Sequence, residues 1–202
     1  MKVLIATHNH GKFKELMEVL EELPFNFVSL NDEHIQEDVE ENGHTYEENA
    51  IIKAEFFGKL TGLPTIADDS GIVIEALEGE LGVKTRRWGA GAKASDKEWL
   101  DFFLERMSHE ANKNAHFISV VAFYRPHQET LTFRGECKGV VMNEPETEIE
   151  PGIPLSSVFK PTGTDRVFSA MTKDEKNEIS HRGIAIKKCY RYLMEKNWNQ
   201  GD

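Results

Sequence analysis

The stretch Leu63-Pro64-Thr65-Ile66-Ala67-Asp68-Asp69-Ser70-Gly71-Ile72-Val73-Ile74 sets two adjacent carboxylates between two apolar runs. The first run has the length and character of a buried strand. The pattern predicts that this strand stops at Ala67, with Asp68 and Asp69 at its mouth. Carboxylates in such a place are costly to desolvate unless something pairs with them. A divalent cation is a usual partner, and magnesium would in turn suggest phosphate chemistry. A plainer reading stays open, in which the aspartates only cap the Ile72 run through Asx turns.

Upstream, Thr45-Tyr46-Glu47-Glu48 has the capping-box pattern, with Thr45 as N-cap and Glu48 reaching back to it. The helix it opens is expected to run to about Leu60, with Tyr46, Ala50, Ala54 and Phe57 on one face and Asn49 and Lys53 sharing another. At the chain start, Val3-Leu4-Ile5-Ala6 reads as a short buried strand and Thr7-His8-Asn9-His10-Gly11 as a polar loop. From Lys12, the positions Phe13, Leu16, Met17, Leu20 and Leu23 follow helical spacing until Pro24. A strand–loop–helix unit of this kind can offer backbone N–H groups to an anion. A second strand is expected over Phe25 to Leu30, followed by an acidic loop over residues 31–44.

Downstream, a loop rich in glycine and arginine covers Glu78 to Lys93, and Ser95-Asp96-Lys97-Glu98 is a second capping box. Its helix carries Trp99, Phe102, Phe103 and Met107, the first three expected in the core. Phe117–Tyr124 and Thr130–Val141 read as two long strands around a turn at Pro126-His127-Gln128. Asn143 to Pro154 reads as a loop. A last helix is expected from Ser180 to Lys196, with Ile186, Cys189 and Leu193 on its apolar side. The whole predicts an α/β fold, a mixed sheet with flanking helices.

The chain has 202 residues, a length suited to one domain, 1–202. Its net charge of −11 argues against a nucleic-acid footprint, although a small anion could still be held by locally gathered lysines. No stretch approaches the roughly 20 apolar residues of a membrane span. Cys137 and Cys189 lack metal-ligand spacing, so a reduced, cytoplasmic chain is the simpler expectation.

Several blocks, taken in order, resemble the inosine triphosphatase (HAM1-like) family of non-standard purine nucleoside triphosphate pyrophosphatases. Thr7-His8-Asn9-His10-Gly11-Lys12, followed by Glu15, is similar to its opening loop. Glu41-Asn42-Gly43-His44-Thr45-Tyr46-Glu47-Glu48-Asn49-Ala50 with Lys53-Ala54 resembles its second block, and Ala67-Asp68-Asp69-Ser70-Gly71 its central signature. Gly82-Val83 followed by Arg87 echoes the next loop, and Lys176-Asn177-Glu178-Ile179-Ser180-His181-Arg182 resembles the closing block. One block departs. Where the family has G-F-G-Y-D-P-x-F, this chain has Gly152-Ile153-Pro154-Leu155-Ser156-Ser157-Val158-Phe159, so two ring positions of the purine pocket are Ile153 and Leu155 and an acidic one is Ser156.

The resemblance implies two lobes around a central cleft, a homodimer, and magnesium-dependent hydrolysis of inosine and xanthosine triphosphates and their deoxy forms to the monophosphate and pyrophosphate. It implies Asp69 as general base and metal ligand, with Glu40 (favoured over Glu41) as a further metal ligand and Asp68 as a second ligand or an orienter. Substrate contacts are implied for Thr7, Asn9, Lys12, Lys53, Ser70, Lys176, His181 and Arg182, the last two toward the base. The altered 152–159 block leaves open the same chemistry on a pyrimidine or modified-base triphosphate. A nucleotide-binding protein without turnover is a further alternative.

Overall fold

A computed structural model describes residues 1–91 and 93–196. Its elements in chain order are β1 (Lys2–Ile5), α1 (His10–Leu20), β2 (Asn26–Ser29), α2 (Tyr46–Thr61), β3 (Thr65–Ile74), α3 (Asp96–Ser108), β4 (Asn114–Tyr124), β5 (Leu131–Val141), β6 (Phe159–Pro161), α4 (Lys173–Ile179) and α5 (His181–Glu195). The strands form one mixed sheet in the order β2-β1-β3-β4-β5-β6. β1 runs parallel to β2 and β3, and the remaining neighbours are antiparallel.

The stretch around the paired aspartates differs from the sequence expectation. No strand ends at Ala67. β3 continues through the carboxylates for ten residues, with Asp68 opposite Val121 and Asp69 opposite Val120. The Asx-turn reading falls with it, because both residues sit in the ladder. Two ionised side chains inside a central strand are tolerable only if cations arrive from elsewhere in the chain.

The long strands carry apolar clusters at different places. α2 lays Ala50, Ala54 and Phe57 over Ala67, Val120 and Ala122 on one face. α1 and α5 cover the other face, with Leu16, Leu20, Ile186, Cys189 and Leu193 against Ile5, Ile66, Val121 and Phe123. β4 is therefore covered on both sides and reads as a nearly continuous apolar run, whereas β5 alternates buried and exposed residues. A third cluster, built on α3, joins Trp99, Phe103 and Met107 to Ile72, Phe117, Leu155, Phe159 and Phe168. α5 approaches β5 so closely that a Cβ on Gly135 would lie 2.1 Å from the His181 carbonyl oxygen. Only glycine lets the start of α5 sit there.

Helix ends show how far local pattern carries. α3 has the expected capping box. In α2, Thr45 caps Glu48 as expected, but the Glu48 carboxylate accepts from the His44 N–H at 2.6 Å instead of reaching Thr45. α1 starts at His10, two residues before the apolar spacing begins, because Asn9 Oδ1 accepts the Lys12 N–H at 2.9 Å. Phe102 is not core. It is 41% exposed and packs edge-on against Trp88. β6 and α4 were not foreseen, although Thr172-Lys173-Asp174-Glu175 forms a complete capping box.

Candidate active site

Successive residues of a strand point to opposite faces, so Asp68 and Asp69 meet different helices. Asp68 Oδ2 lies 3.2 Å from Lys12 Nζ of α1 and 3.2 Å from Arg182 Nε of α5. Asp69 turns toward α2. Its Oδ2 accepts from Asn49 Nδ2 at 3.2 Å, and its Oδ1 is 3.6 Å from Lys53 Nζ. Lys53 in turn lies 3.0 Å from Glu41 Oε1. Helical i, i+4 spacing is what brings Asn49 and Lys53 to the same carboxylate.

The two aspartates consequently titrate in opposite directions. Burial alone would raise Asp68, but Lys12, Arg182 and Lys53 overcome it and hold the carboxyl far below the usual range. Burial pushes Asp69 upward, Glu41 and Asp68 add to the rise, and the opposing pull of Lys53 and Lys12 does not cancel it. Among the cations, burial lowers Lys12, with Lys53 and Arg182 adding to Asp68's incomplete compensation. Burial would lower Lys53 too, but Asp69 and Glu41 reverse it and Lys53 is raised.

A second polar network lies behind these residues. Arg182 donates from Nε to Asp68, from Nη1 to Glu15 and from Nη2 to Ser70 Oγ, the last at 2.9 Å. Lys176 Nζ lies 2.5 Å from Glu15 Oε1 and 3.3 Å from Glu150 Oε2. His181, buried at the start of α5, stacks on Phe117 with ring centroids 4.4 Å apart and planes within 12°. Burial and the neighbouring Arg182 push its imidazole well below the ordinary value, so it is uncharged at neutral pH. Its Nδ1 has no hydrogen-bond partner among the described residues.

One cavity of about 540 Å³ joins these groups. Thr7, Asn9, Lys12, Lys53, Asp69, Ser70, Lys176, His181 and Arg182 all line it, as do Glu40 and Glu41. Thr7 Oγ1 accepts the Asn9 N–H at 3.1 Å, which shapes the turn into α1. Trp99, Phe117 and Phe168 also line it, together with Ile153, Pro154 and Leu155. Asp68 is not in the lining. It stands behind the wall as the anchor of Lys12 and Arg182. Glu40 is exposed, and Glu41, not Glu40, reaches the Lys53–Asp69 cluster. Sequence reasoning left unassigned Glu15, which holds both Arg182 and Lys176, and Arg87, which donates to the Glu41 carbonyl at 3.3 Å. Both belong to the blocks that carry the family resemblance, but nothing local reveals their partners.

Among the described residues no group of three or more His, Cys, Asp or Glu side chains is placed to hold a metal ion. Magnesium does not need one, since it is commonly held by one or two carboxylates with substrate phosphates and water completing the shell. Asp69 and Glu41, oxygen donors sharing Lys53 at the cavity wall, fit that requirement. No helix among the described residues is long and apolar enough to cross a membrane.

A mixed six-stranded sheet with flanking helices recurs in known proteins. A sequence model of the Ham1 family matches residues 3–192, and the chain belongs to that family. A protein of Bacillus subtilis named dITP/XTP pyrophosphatase is 38% identical over 194 residues, covering 95% of this chain and 96% of its own. Among solved structures, a HAM1 protein from Coxiella burnetii superposes with a TM-score of 0.82 at 33% identity, covering 97% of this chain and all of its own. The Staphylococcus aureus Ham1 protein gives 0.80 at 28% identity over 98% of this chain.

Proposed function

We propose that this protein hydrolyses non-standard purine nucleoside triphosphates, inosine, deoxyinosine and xanthosine triphosphate, to the monophosphate and pyrophosphate, so removing damaged nucleotides from the pool. The observation that carries the reading is Asp69, a carboxylate with raised proton affinity, facing a cavity beside Lys53 and Lys12. The likeness to the Bacillus subtilis protein named dITP/XTP pyrophosphatase supports it.

In this reading the triphosphate lies across the start of α1, where the free N–H groups of the first turn and Lys12 meet its negative charge. Lys53 meets the phosphates from the α2 side. Asp69 accepts the proton of the water that attacks the α-phosphorus, and the leaving group is pyrophosphate. Asp68 is an orienter here, fixing Lys12 and Arg182. Asp69 and Glu41 would hold magnesium, which when bound supplies positive charge against the phosphate oxygens. His181 offers an uncharged donor near the ring-lined end of the cavity, where a keto purine presents an acceptor.

The protein is proposed to act as a homodimer of single-domain chains, in the cytoplasm, where the buried free thiols of Cys137 and Cys189 would stay reduced. A second reading keeps the chemistry and changes the base, because the wall at Ile153 and Leu155 is aliphatic.

Pyrophosphate release from a panel of triphosphates tests these readings. Inosine and xanthosine triphosphates should exceed ATP in kcat/KM by on the order of 10²-fold or more. Equal rates across the purines would overturn the purine reading, and a pyrimidine optimum would establish the second. Tight binding without turnover would establish a silent nucleotide-binding protein.

A further inference from the structure

We propose that Asp96 is a positioning residue for base recognition: it grips the backbone of Gly152, and through it sets the cavity wall from Ile153 to Ser156 against the phosphate-binding end. The inference rests on the function proposed above and adds a residue to it.

Asp96 does not line the cavity. It is the first residue of α3, and that helix does not need it as a cap. Ser95 Oγ accepts the Glu98 N–H at 3.2 Å and Glu98 Oε2 accepts the Ser95 N–H at 2.8 Å, which satisfies the helix end. The Asp96 carboxylate instead reaches fifty-six residues along the chain and accepts the Gly152 N–H at 2.7 Å. The carbonyl of the same residue accepts from Asn9 Nδ2 at 2.9 Å. Gly152 is thus held from α3 on one side and from α1 on the other.

The fit admits no side chain. Gly152 has φ +82°, and a Cβ there would lie 2.5 Å from Asn9 Oδ1. Gly11 of α1 is as close to the preceding residue, since a Cβ on it would stand 2.6 Å from the Pro151 carbonyl oxygen. Asn9 Oδ1 meanwhile caps α1 through the Lys12 N–H. One run of hydrogen bonds therefore joins Asp96, Gly152, Asn9 and the amide end of α1.

Immediately after Gly152, the residues Ile153 to Ser156 enter the cavity wall. Their backbone bonds are local, from the Ile153 N–H to the Glu150 carbonyl and from the Ser156 N–H to the Ile153 carbonyl. Further long-range ties lie on either side of Gly152: Lys176 to Glu150 at 3.3 Å, Ser169 Oγ to the Ser156 carbonyl at 3.0 Å, and the Glu146 N–H to the Ser157 carbonyl at 2.9 Å. Loss of the Asp96 grip leaves Gly152 held from α1 alone and loosens the wall at its first residue, while Lys12, Lys53 and Asp69 stay where they are. Base contacts should weaken; phosphate contacts and chemistry should not.

The test uses full-length Asp96→Ala and Asp96→Asn. The amide oxygen of asparagine can still accept the Gly152 N–H but carries no charge. Asp96→Ala should raise KM for inosine triphosphate, and weaken inosine monophosphate binding in calorimetry, by on the order of tenfold. It should leave kcat and pyrophosphate affinity within about twofold. Asp96→Asn should recover most of the loss. A wild-type KM in Asp96→Ala would overturn the proposal, as would pyrophosphate affinity falling in step with that of the monophosphate. So would an asparagine variant no better than alanine, which would assign the effect to the Asp96 charge, at the start of α3 and 4.0 Å from the cavity-lining Arg86. Failure of the wild-type enzyme to turn over inosine triphosphate would count against the function itself, and the two binding measurements would still judge the grip.

Discussion

Asp68 and Asp69 are neighbours in one strand with the same side chain, yet they occupy opposite situations. Asp68 has a lysine and an arginine on a single oxygen and no access to the cavity. Asp69 has one lysine at 3.6 Å, an amide at 3.2 Å, and an open side. A buried carboxylate that is over-compensated contributes structure, and one that is under-compensated is left with proton affinity to use. The alternation of a strand is what allows both conditions in adjacent positions.

Neutralising each residue should separate the two roles. Asp69→Asn should lower kcat by about 10³-fold with nucleotide binding retained, the range expected for loss of a general base. Its unfolding midpoint should be unchanged or slightly higher. A raised folded pKa means that the ionised carboxylate costs stability at neutral pH, and asparagine removes that cost. Full kcat in the variant would remove Asp69 from the mechanism. Asp68→Ala should instead destabilise the fold by about 3–5 kcal/mol, because Arg182 and Lys12 would keep their charges in a buried place without their shared partner. Denaturant unfolding reads this directly. A variant as stable as the parent would show that the pair of cations is solvated and that the contrast between the two aspartates is not real.

Glu15 extends the comparison to pH. Burial would raise it, but Arg182 and Lys176 dominate and its carboxyl lies below the ordinary value of 4.5. A depressed folded pKa gives stability that is complete above the unfolded value and lost as pH falls through the folded one. Glu15→Gln should therefore unfold more easily than the parent at pH 7. The gap between the two should close as pH drops below about 4.5, where the parent loses its advantage. Thermal melts of both proteins between pH 7 and pH 3 check this. A gap of constant size would mean that Glu15 acts through packing and not through charge.

Much of this is legible in the chain itself. The α3 capping box, the apolar face of α2 and the two long strands are local patterns, and they form as their patterns require. β3 was misread for a physical reason. Two adjacent carboxylates look like the end of a strand unless one knows that Lys12, Lys53 and Arg182 converge on them, and those residues come from three helices far apart in sequence. Phe102 has core composition but lies on the outer side of its helix, a matter of phase that four aromatic or apolar positions could not fix. α4 carries its start signal openly, yet its seven residues are too few for periodicity to register. The cavity collects residues from blocks more than a hundred positions apart, and only Asp68 of those expected there stands outside it. Order along the chain could name the members of the cluster but not their distances.

Distance is what separates Glu40 from Glu41, the smallest contrast in the site. Both residues line the cavity, but Glu41 reaches Lys53 at 3.0 Å while Glu40 is exposed and makes no such pair among the described residues. Glu41→Gln should raise the magnesium concentration needed for half-maximal rate and lower kcat/KM by on the order of tenfold, since removing one charged ligand or partner is worth about 1.5–3 kcal/mol. Glu40→Gln should change either quantity by less than about twofold, as expected for a solvated carboxylate. Magnesium titrations of both variants at fixed substrate decide between them. The reverse order of effects would mean that the loop turns on binding, bringing Glu40 inward and releasing Glu41 from Lys53. The raised proton affinity of Asp69 would then lose one of its sources, because Glu41 is among the charges that push it up.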